Sequence, residues 1–414
     1  MHQENMVIVG AGHSGARAAQ ALRANGWQER ITIIDAEGRT PYERPPLSKA
    51  VLKGERAAEV APLFPAGYLA ENGIDFLSGI GATAIDRAGQ RLALSDGNTL
   101  PYHRLLLATG AIPRDLGVPG RDASGIYPLR NAADAESIAQ RLQPGVDIVI
   151  VGAGLIGLEA ASAAISRGCN VTVVEAGPRL MMRAVPAPLS SKIRHHHESK
   201  GVRFLFGRRV VGFGQHAGGL NSVSLNDGTT LTCSASIISI GVLPRTELAE
   251  RAGLTLDNGV AVNCFLQTSD PYIYAAGDAS SFALGPGVRM RLECWKNAED
   301  QGSVVARNMM GGCEPYLPFP WMWSDQFDQT MQIAGIADGA VDHVERQCED
   351  GTLLIYHLDD AEKIQAVSGF GSIREVSRGV RAGQMLMERG LRPSRQALQD
   401  PNCDLRMFAK AVVA

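Results

Sequence analysis

Along the chain, short unbroken apolar runs alternate with small-residue helical stretches. Residues 6–9 read Met-Val-Ile-Val, a glycine-rich turn covers 10–15, and Ala-rich helical sequence follows through Arg23. A second apolar run, Ile-Thr-Ile-Ile at 31–34, ends at Asp35. The same order recurs further on: Ile-Val-Ile-Val at 148–151, a glycine turn, helical sequence over 158–166, and Val-Thr-Val-Val at 171–174 before Glu175. Apolar runs of four to eight residues bounded by turn signals predict buried strands. Two strand–turn–helix–strand units predict an α/β protein with two Rossmann-like domains.

The glycine turns add chemistry. The first is Gly10-x-Gly12-x-x-Gly15 and the second Gly152-x-Gly154-x-x-Gly157. In such a turn the first glycine permits the sharp bend, the second lets a diphosphate reach the backbone, and the third lets helix and strand pack. Free N–H groups at the helix start then hold the diphosphate. Asp35 lies 20 residues beyond Gly15, at the spacing of a ribose-binding carboxylate. Glu175 is its counterpart. A carboxylate there accepts from both ribose hydroxyls and repels a 2′-phosphate, so NADH is expected to beat NADPH. Arg179 and Arg183 lie close enough in sequence to offset that repulsion. Two intact fingerprints predict two dinucleotides.

Length and composition narrow the class. The 414 residues exceed what one core holds, so two or three domains are expected. The chain is 45% hydrophobic and 20% charged with a formal charge of −3, which disfavours nucleic acid as the main partner. No apolar run reaches the roughly 18 residues of a membrane span, and the apolar strand at 6–9 leaves no room for a leader, so a cytoplasmic location is expected. The seven cysteines are scattered without a CxxC or CxxxxC pair. That spacing disfavours a zinc ribbon, an iron–sulfur cluster and a disulfide relay, and no metal site is expected.

With these motifs in order, the chain resembles the glutathione-reductase-like flavoproteins, and more specifically the ferredoxin and rubredoxin reductases of bacterial oxygenase systems. The resemblance rests on Pro-Tyr-Glu-Arg-Pro-Pro-Leu-Ser-Lys at 41–49, Leu-Ala-Thr-Gly at 107–110 and Tyr-Ala-Ala-Gly-Asp at 274–278. It also rests on Glu-Cys-Trp-Lys-Asn-Ala at 293–298 and Pro-Trp-Met-Trp-Ser-Asp-Gln at 320–326. The closing stretches 391–395 and 400–406 resemble the reductase components of aromatic-ring dioxygenases. The resemblance implies an FAD domain split between 1–115 and 246–318, an NADH domain at 116–245, and a C-terminal α+β domain at 319–414.

It also implies site residues. For FAD these are Gly10, Gly12, Ser14, Gly15, Asp35, Arg44, Lys49, Ala82, Ala108, Thr109, Gly110, Arg130, Gly277, Asp278, Glu293 and Trp295. For NADH they are Gly152, Gly154, Ile156, Gly157, Glu159, Glu175, Arg183 and Gly241. His13 is read as a lining residue. Lys49 is implied as the cation beside the flavin's hydride-accepting nitrogen, Glu159 as its counter-ion, and Trp323 as a flavin shield or electron exit. Residues 297–310 read as a helix whose N-terminus favours a reduced, anionic flavin. The implied reaction carries electrons from NADH through FAD to a 2Fe-2S ferredoxin, of Rieske type in a dioxygenase system. A rubredoxin reductase, an NADH oxidase, the ferredoxin reductase of a haem monooxygenase, and a redox-sensing NADH-binding flavoprotein remain open.

Two charged features stand apart. Arg374, Arg378 and Arg381 recur at i, i+4 and i+7 and so share one helical face, either a docking face for an acidic ferredoxin or an ordinary solvated one. His195, His196 and His197 are consecutive, so on a helix they diverge and cannot converge on one ion; a solvated helix is expected.

Overall fold

The computed structural model describes residues 4–57, 61–285 and 288–410. They form two compact units. The first draws on Met1–Pro46, Ala58–Ile112 and Val242–Pro318, the second on Leu47–Ala57, Pro113–Gly241 and Phe319–Ala414.

In the first unit, strand Asn5–Val9 lies between Arg30–Asp35 and Arg104–Leu107, with Ile74–Ser78 and Ile273–Ala275 at the edges. Every neighbouring pair is parallel. Met6, Val7, Ile8, Ile31, Ile33, Leu105 and Leu106 are all fully buried. That is why the strands read as continuous apolar runs: a parallel sheet is covered on both faces. Helices His13–Ala24 and Trp295–Met309 pack together in this unit. The second helix begins at Trp295, two residues earlier than the pattern predicts.

The second unit holds two five-stranded sheets, besides a small antiparallel one of Val210–His216, Gly219–Leu225 and Thr230–Thr232. Its parallel sheet orders the strands Arg203–Phe206, Asn170–Glu175, Asp147–Val151, Ala235–Ile238 and Ile126–Pro128. Helix Leu155–Ser166 follows the glycine turn, and its alanines at 160, 161, 163 and 164 are fully buried. The other five-stranded sheet is antiparallel, with Trp321–Gln326 at one edge, then Gln329–Gly335, Ile364–Gly371, Leu353–Leu358 and Asp342–Gln347. Helix Ile373–Glu388 crosses it, capped by Ser372, whose hydroxyl accepts from the Glu375 N–H. A Cβ at Gly379 would lie 2.1 Å from Leu354, so the helix sits hard against the sheet. Among the described residues no helix is long and apolar enough to cross a membrane.

Candidate active site

The two glycine turns repeat one backbone geometry. Gly10 has φ +107° and Gly152 φ +104°, a region that L side chains avoid. A Cβ at Gly10 would lie 2.2 Å from the Ala108 carbonyl oxygen, and one at Gly152 2.2 Å from that of Ser239. The third glycine of each turn closes on the first: a Cβ at Gly15 would lie 1.9 Å from the Gly10 carbonyl, and one at Gly157 2.2 Å from that of Gly152. The middle glycines differ. Around Gly12 and Gly154 a Cβ meets nothing within 4 Å, so each faces open space. Each is also the N-cap of a 12-residue helix that lacks a side-chain cap. Uncapped N–H groups beside open space fit a diphosphate at both turns.

The carboxylates repeat as well. Asp35 accepts from the N–H groups of Ala11 and Glu37 at 2.7 and 2.8 Å. Glu175 accepts from those of Ala153 and Gly177 at 2.8 and 2.7 Å. Each acid therefore braces its own turn at the end of the neighbouring strand. Among the described residues Arg179 makes no ion pair with Glu175; its guanidinium donates to the backbone oxygens of Val185 and Met182 at 2.7 and 3.0 Å. Arg183 is exposed. Ile156, at the head of the helix, is 41% exposed, and Gly241 holds φ +93° while accepting from the Arg114 N–H. The Arg130 N–H donates to Asp134 at 2.9 Å.

In the first unit, His13 Nε2, Ser14 Oγ and Gln301 Nε2 are buried without a hydrogen-bond partner among the described residues. Gly277 lies between Ser14 and Gln301, since a Cβ there would lie 3.1 Å from Ser14 and its N–H donates to Gln301 Oε1 at 2.7 Å. Three orphaned polar groups at one helix head are costly unless a polar ligand meets them. This unit's residues therefore fit FAD. Burial, with Arg44 beside it, holds His13 neutral, its pKa lowered to about 4. The His13 ring meets Trp295 edge to face at 5.7 Å. Arg44 lies 3.6 Å from Glu37 and over the Tyr42 ring, and Ala82 is half-buried at the head of strand Ala82–Asp86. Thr109 donates to the Arg245 carbonyl at 2.7 Å, Gly110 follows with φ +70°, and Asp278 stands in the turn Gly277–Ala279. Glu293 pairs with Arg291 at 2.5 Å.

In the second unit, Lys49 sits in a π-helical turn, Leu47–Val51, a rare geometry that recurs at functional sites. Its ammonium lies 3.5 Å from Glu159 and 3.1 Å from Asp325, and 5.2 Å from the centre of the Trp323 ring. Glu159 is 5% exposed and accepts from two hydroxyls, Ser48 on one oxygen and Ser324 on the other, the latter at 2.7 Å. Burial pushes the Glu159 carboxyl up, while Lys49 and the two hydroxyls pull it back and Asp325 adds to the rise.

Comparison with known proteins gives this geometry a family. Residues 4–302 match the model described as pyridine nucleotide-disulphide oxidoreductase, and 321–409 match the reductase C-terminal domain. The chain belongs to the pyridine nucleotide-disulphide oxidoreductase family. Along 410 residues it is 35% identical to the ferredoxin–NAD(+) reductase component of the anthranilate 1,2-dioxygenase system of Burkholderia cepacia, covering 99% of this chain and 100% of that one. It is 38% identical over 331 residues to a rubredoxin–NAD(+) reductase of Pseudomonas putida, 80% of this chain and 86% of the relative. The crystal structure of the ferredoxin reductase for the CYP199A2 system of Rhodopseudomonas palustris superposes with a TM-score of 0.93 at 34% identity, covering 98% and 100%.

Within this family member, Lys49 pairs with Glu159 at 3.5 Å and gives its hydrogen bond to a second carboxylate, Asp325, which is not among the implied site residues. Trp323 and Asp325 are two apart on one strand and share a face. One expectation needs correction: the histidine run is not a solvated helix. His195 is exposed, but His196 packs against Phe327, Phe370 and Asp328, and His197 is fully buried. Leu189, Ile193 and His197 recur every four residues, so His197 continues the buried stripe of helix Ala187–Ser199.

Proposed function

We propose that the chain is an FAD-dependent NADH–ferredoxin reductase that supplies an oxygenase, foremost an aromatic-ring dioxygenase. The observation that carries this is the pair of dinucleotide turns with matching geometry in one chain, each with its own bracing carboxylate. Flavin takes two electrons from a hydride donor and returns them singly, which NADH and a ferredoxin require of an intermediary. The end-to-end likeness to a dioxygenase-system reductase supports a 2Fe-2S ferredoxin as acceptor, of Rieske type in this reading.

The chain's own residues have assignable tasks. FAD is taken by residues 1–115 with 246–318, at Gly10, Gly12, Ser14, Gly15, Asp35, Asp278 and Trp295, and NADH by 116–245, at Gly152, Gly154, Gly157 and Glu175. Residues 319–414 form the C-terminal part. NADH is preferred over NADPH because Glu175 carries the charge that repels a 2′-phosphate while Arg179 is engaged elsewhere. Lys49, Glu159 and Trp323 serve the hydride step. The exposed arginines 374, 378 and 381 line one face of helix Ile373–Glu388 and receive an acidic ferredoxin. Arg374 and Arg378 each lie only 3.8 Å from Glu375, so that face is partly neutralised. The expected location is the cytoplasm.

Anaerobic mixing with NADH should bleach the flavin, and a 2Fe-2S ferredoxin should then sustain cytochrome c reduction at a rate that falls as salt rises. Oxygen consumption as fast as ferredoxin turnover would make it an oxidase. The likeness to a rubredoxin reductase supports a second reading, and rubredoxin reduced faster than every 2Fe-2S ferredoxin would favour it.

A further inference from the structure

His197 takes no part in binding or electron transfer as argued so far, yet it is fully buried and polar. Its Nε2 lies 2.9 Å from Gln326 Oε1. Gln326, also fully buried, donates from Nε2 to Ser324 Oγ at 3.2 Å. Ser324 donates to Glu159 Oε1 at 2.7 Å. Three elements of the second unit thus share one chain of hydrogen bonds: helix Ala187–Ser199, strand Trp321–Gln326 and helix Leu155–Ser166.

The direction of this chain follows from what each atom can do. An amide oxygen only accepts, so His197 donates from Nε2. That fixes the tautomer and leaves Nδ1 as the bare nitrogen, which has no partner among the described residues. With its oxygen engaged, Gln326 presents its amine to Ser324. The Ser324 oxygen is then occupied as an acceptor, and its proton is left for Glu159. Turned the other way, Gln326 would draw the Ser324 proton toward itself, and Glu159 would lose a donor. An amide passes no proton along such a chain, so this is an orienting device and not a proton path.

We propose that His197 is a positioning residue which, through Gln326 and Ser324, aims a hydroxyl donor at Glu159 and so favours its carboxylate form beside Lys49. The functional consequence rests on assigning Glu159 to the hydride step. The groups facing Glu159 are Lys49, Asp325, Ser48 and Ser324. Those acting on His197 are Gln326 and His196, and Asp328, Lys200 and Lys192 act on His196 in turn. Burial lowers the His197 pKa to about 4, so near neutral pH it is a fixed neutral donor.

The test is the protonation of Glu159 in the FAD-loaded protein, read from the infrared carbonyl stretch of its acid form and identified by its loss in Glu159→Gln. Removing a donor to the carboxylate raises its pKa. In His197→Leu and in Ser324→Ala the midpoint should therefore move up by about one pH unit, a tenfold change in ionisation constant. The double variant should move no further than Ser324→Ala alone, because both act through one hydroxyl. His197→Gln, which keeps an N–H donor, should return the midpoint toward that of the unaltered protein. Unmoved midpoints, additive shifts, or a His197→Gln shift equal to that of His197→Leu would overturn the proposal. If His197→Leu does not fold, Gln326→Leu with Ser324→Ala decides in the same way. A shifted midpoint with unchanged flavin reduction by NADH would uphold the hydrogen-bond chain and refute the role of Glu159 in hydride transfer.

Discussion

The two glycine turns are nearly the same object in backbone and different objects in side chain. Their first glycines share a φ near +105°, their third glycines close on the same carbonyl, and their carboxylates brace the same two N–H positions. The divergence comes two residues past the third glycine. There the first turn has Arg17, whose side chain is 40% exposed, and the second has Glu159, which is 5% exposed. Arg17 reaches Ser303, Gln20 and Glu299 near the surface, whereas Glu159 is enclosed by Ser48, Lys49 and Ser324. In the proposed reading, binding a dinucleotide is a property of the repeated backbone, while reacting with one is a property of what the next helical turn buries.

The repeat breaks first at its glycines, where the largest effects are expected. Gly10→Ala and Gly152→Ala force a Cβ onto a carbonyl 2.2 Å away at a positive φ. Each should cost about 3 kcal/mol of stability or more, read from denaturant unfolding. Gly12→Ala and Gly154→Ala meet open space, so their unfolding should match the unaltered protein. Their loss is in ligand: Gly12→Ala should release FAD, and Gly154→Ala should keep FAD while KM for NADH rises about tenfold or more. Equal destabilisation of all four variants would refute the division of labour within each turn.

The unlike positions come next. Lys49→Ala removes the only cation facing Glu159 among the groups that act on it. Flavin reduction by NADH in stopped flow should slow about a hundredfold, the scale of losing one preorganised electrostatic partner. An unchanged rate would remove Lys49 from the mechanism.

The two turns were legible in the sequence because glycine spacing dictates backbone, and backbone is local. The strand–turn–helix–strand succession, the acid that closes each unit and most of helix Leu155–Ser166 follow from patterns within about thirty residues, whereas the bracing role of the acids and the order of strands across each sheet do not. The enclosure of Glu159 was not legible in the same way. Ser48 lies 111 residues from it, Ser324 165 residues from it, and Lys49 reaches Asp325 across 276 residues. Resemblance supplied Lys49 and Glu159; strand alternation puts Asp325 on the face of Trp323, but it does not bring Lys49 to that face, and nothing local marks Ser48 as a partner of Glu159. His197 was misread for a different reason: three histidines in a row look polar, and the four-residue period that puts the third in the core becomes visible only with Leu189 and Ile193.

A smaller effect separates the acids. In Glu175→Ala, kcat/KM should fall about tenfold for NADH and rise for NADPH, narrowing the preference. Arg179→Ala should leave the preference in place, because that guanidinium is spent on Val185 and Met182. Asp35→Ala should weaken FAD retention and leave the NADH-to-NADPH ratio untouched. A preference for NADPH in the unaltered enzyme would overturn the reading of Glu175.

The smallest effect tests the contrast itself. Arg17 occupies the position of Glu159 in the other turn, and a role set by position alone would make it important. Its environment argues otherwise. The nearest carboxylate oxygen, on Glu299, is 3.6 Å away, and its bonds to Ser303 and Gln20 lie where water competes. Exposed pairs of this kind contribute about 0.5 kcal/mol. Arg17→Ala should therefore lower stability by about that much, leave FAD bound, and leave flavin reduction at its original rate. A kinetic loss comparable to that of Lys49→Ala would mean that the position, and not the burial around it, carries the chemistry.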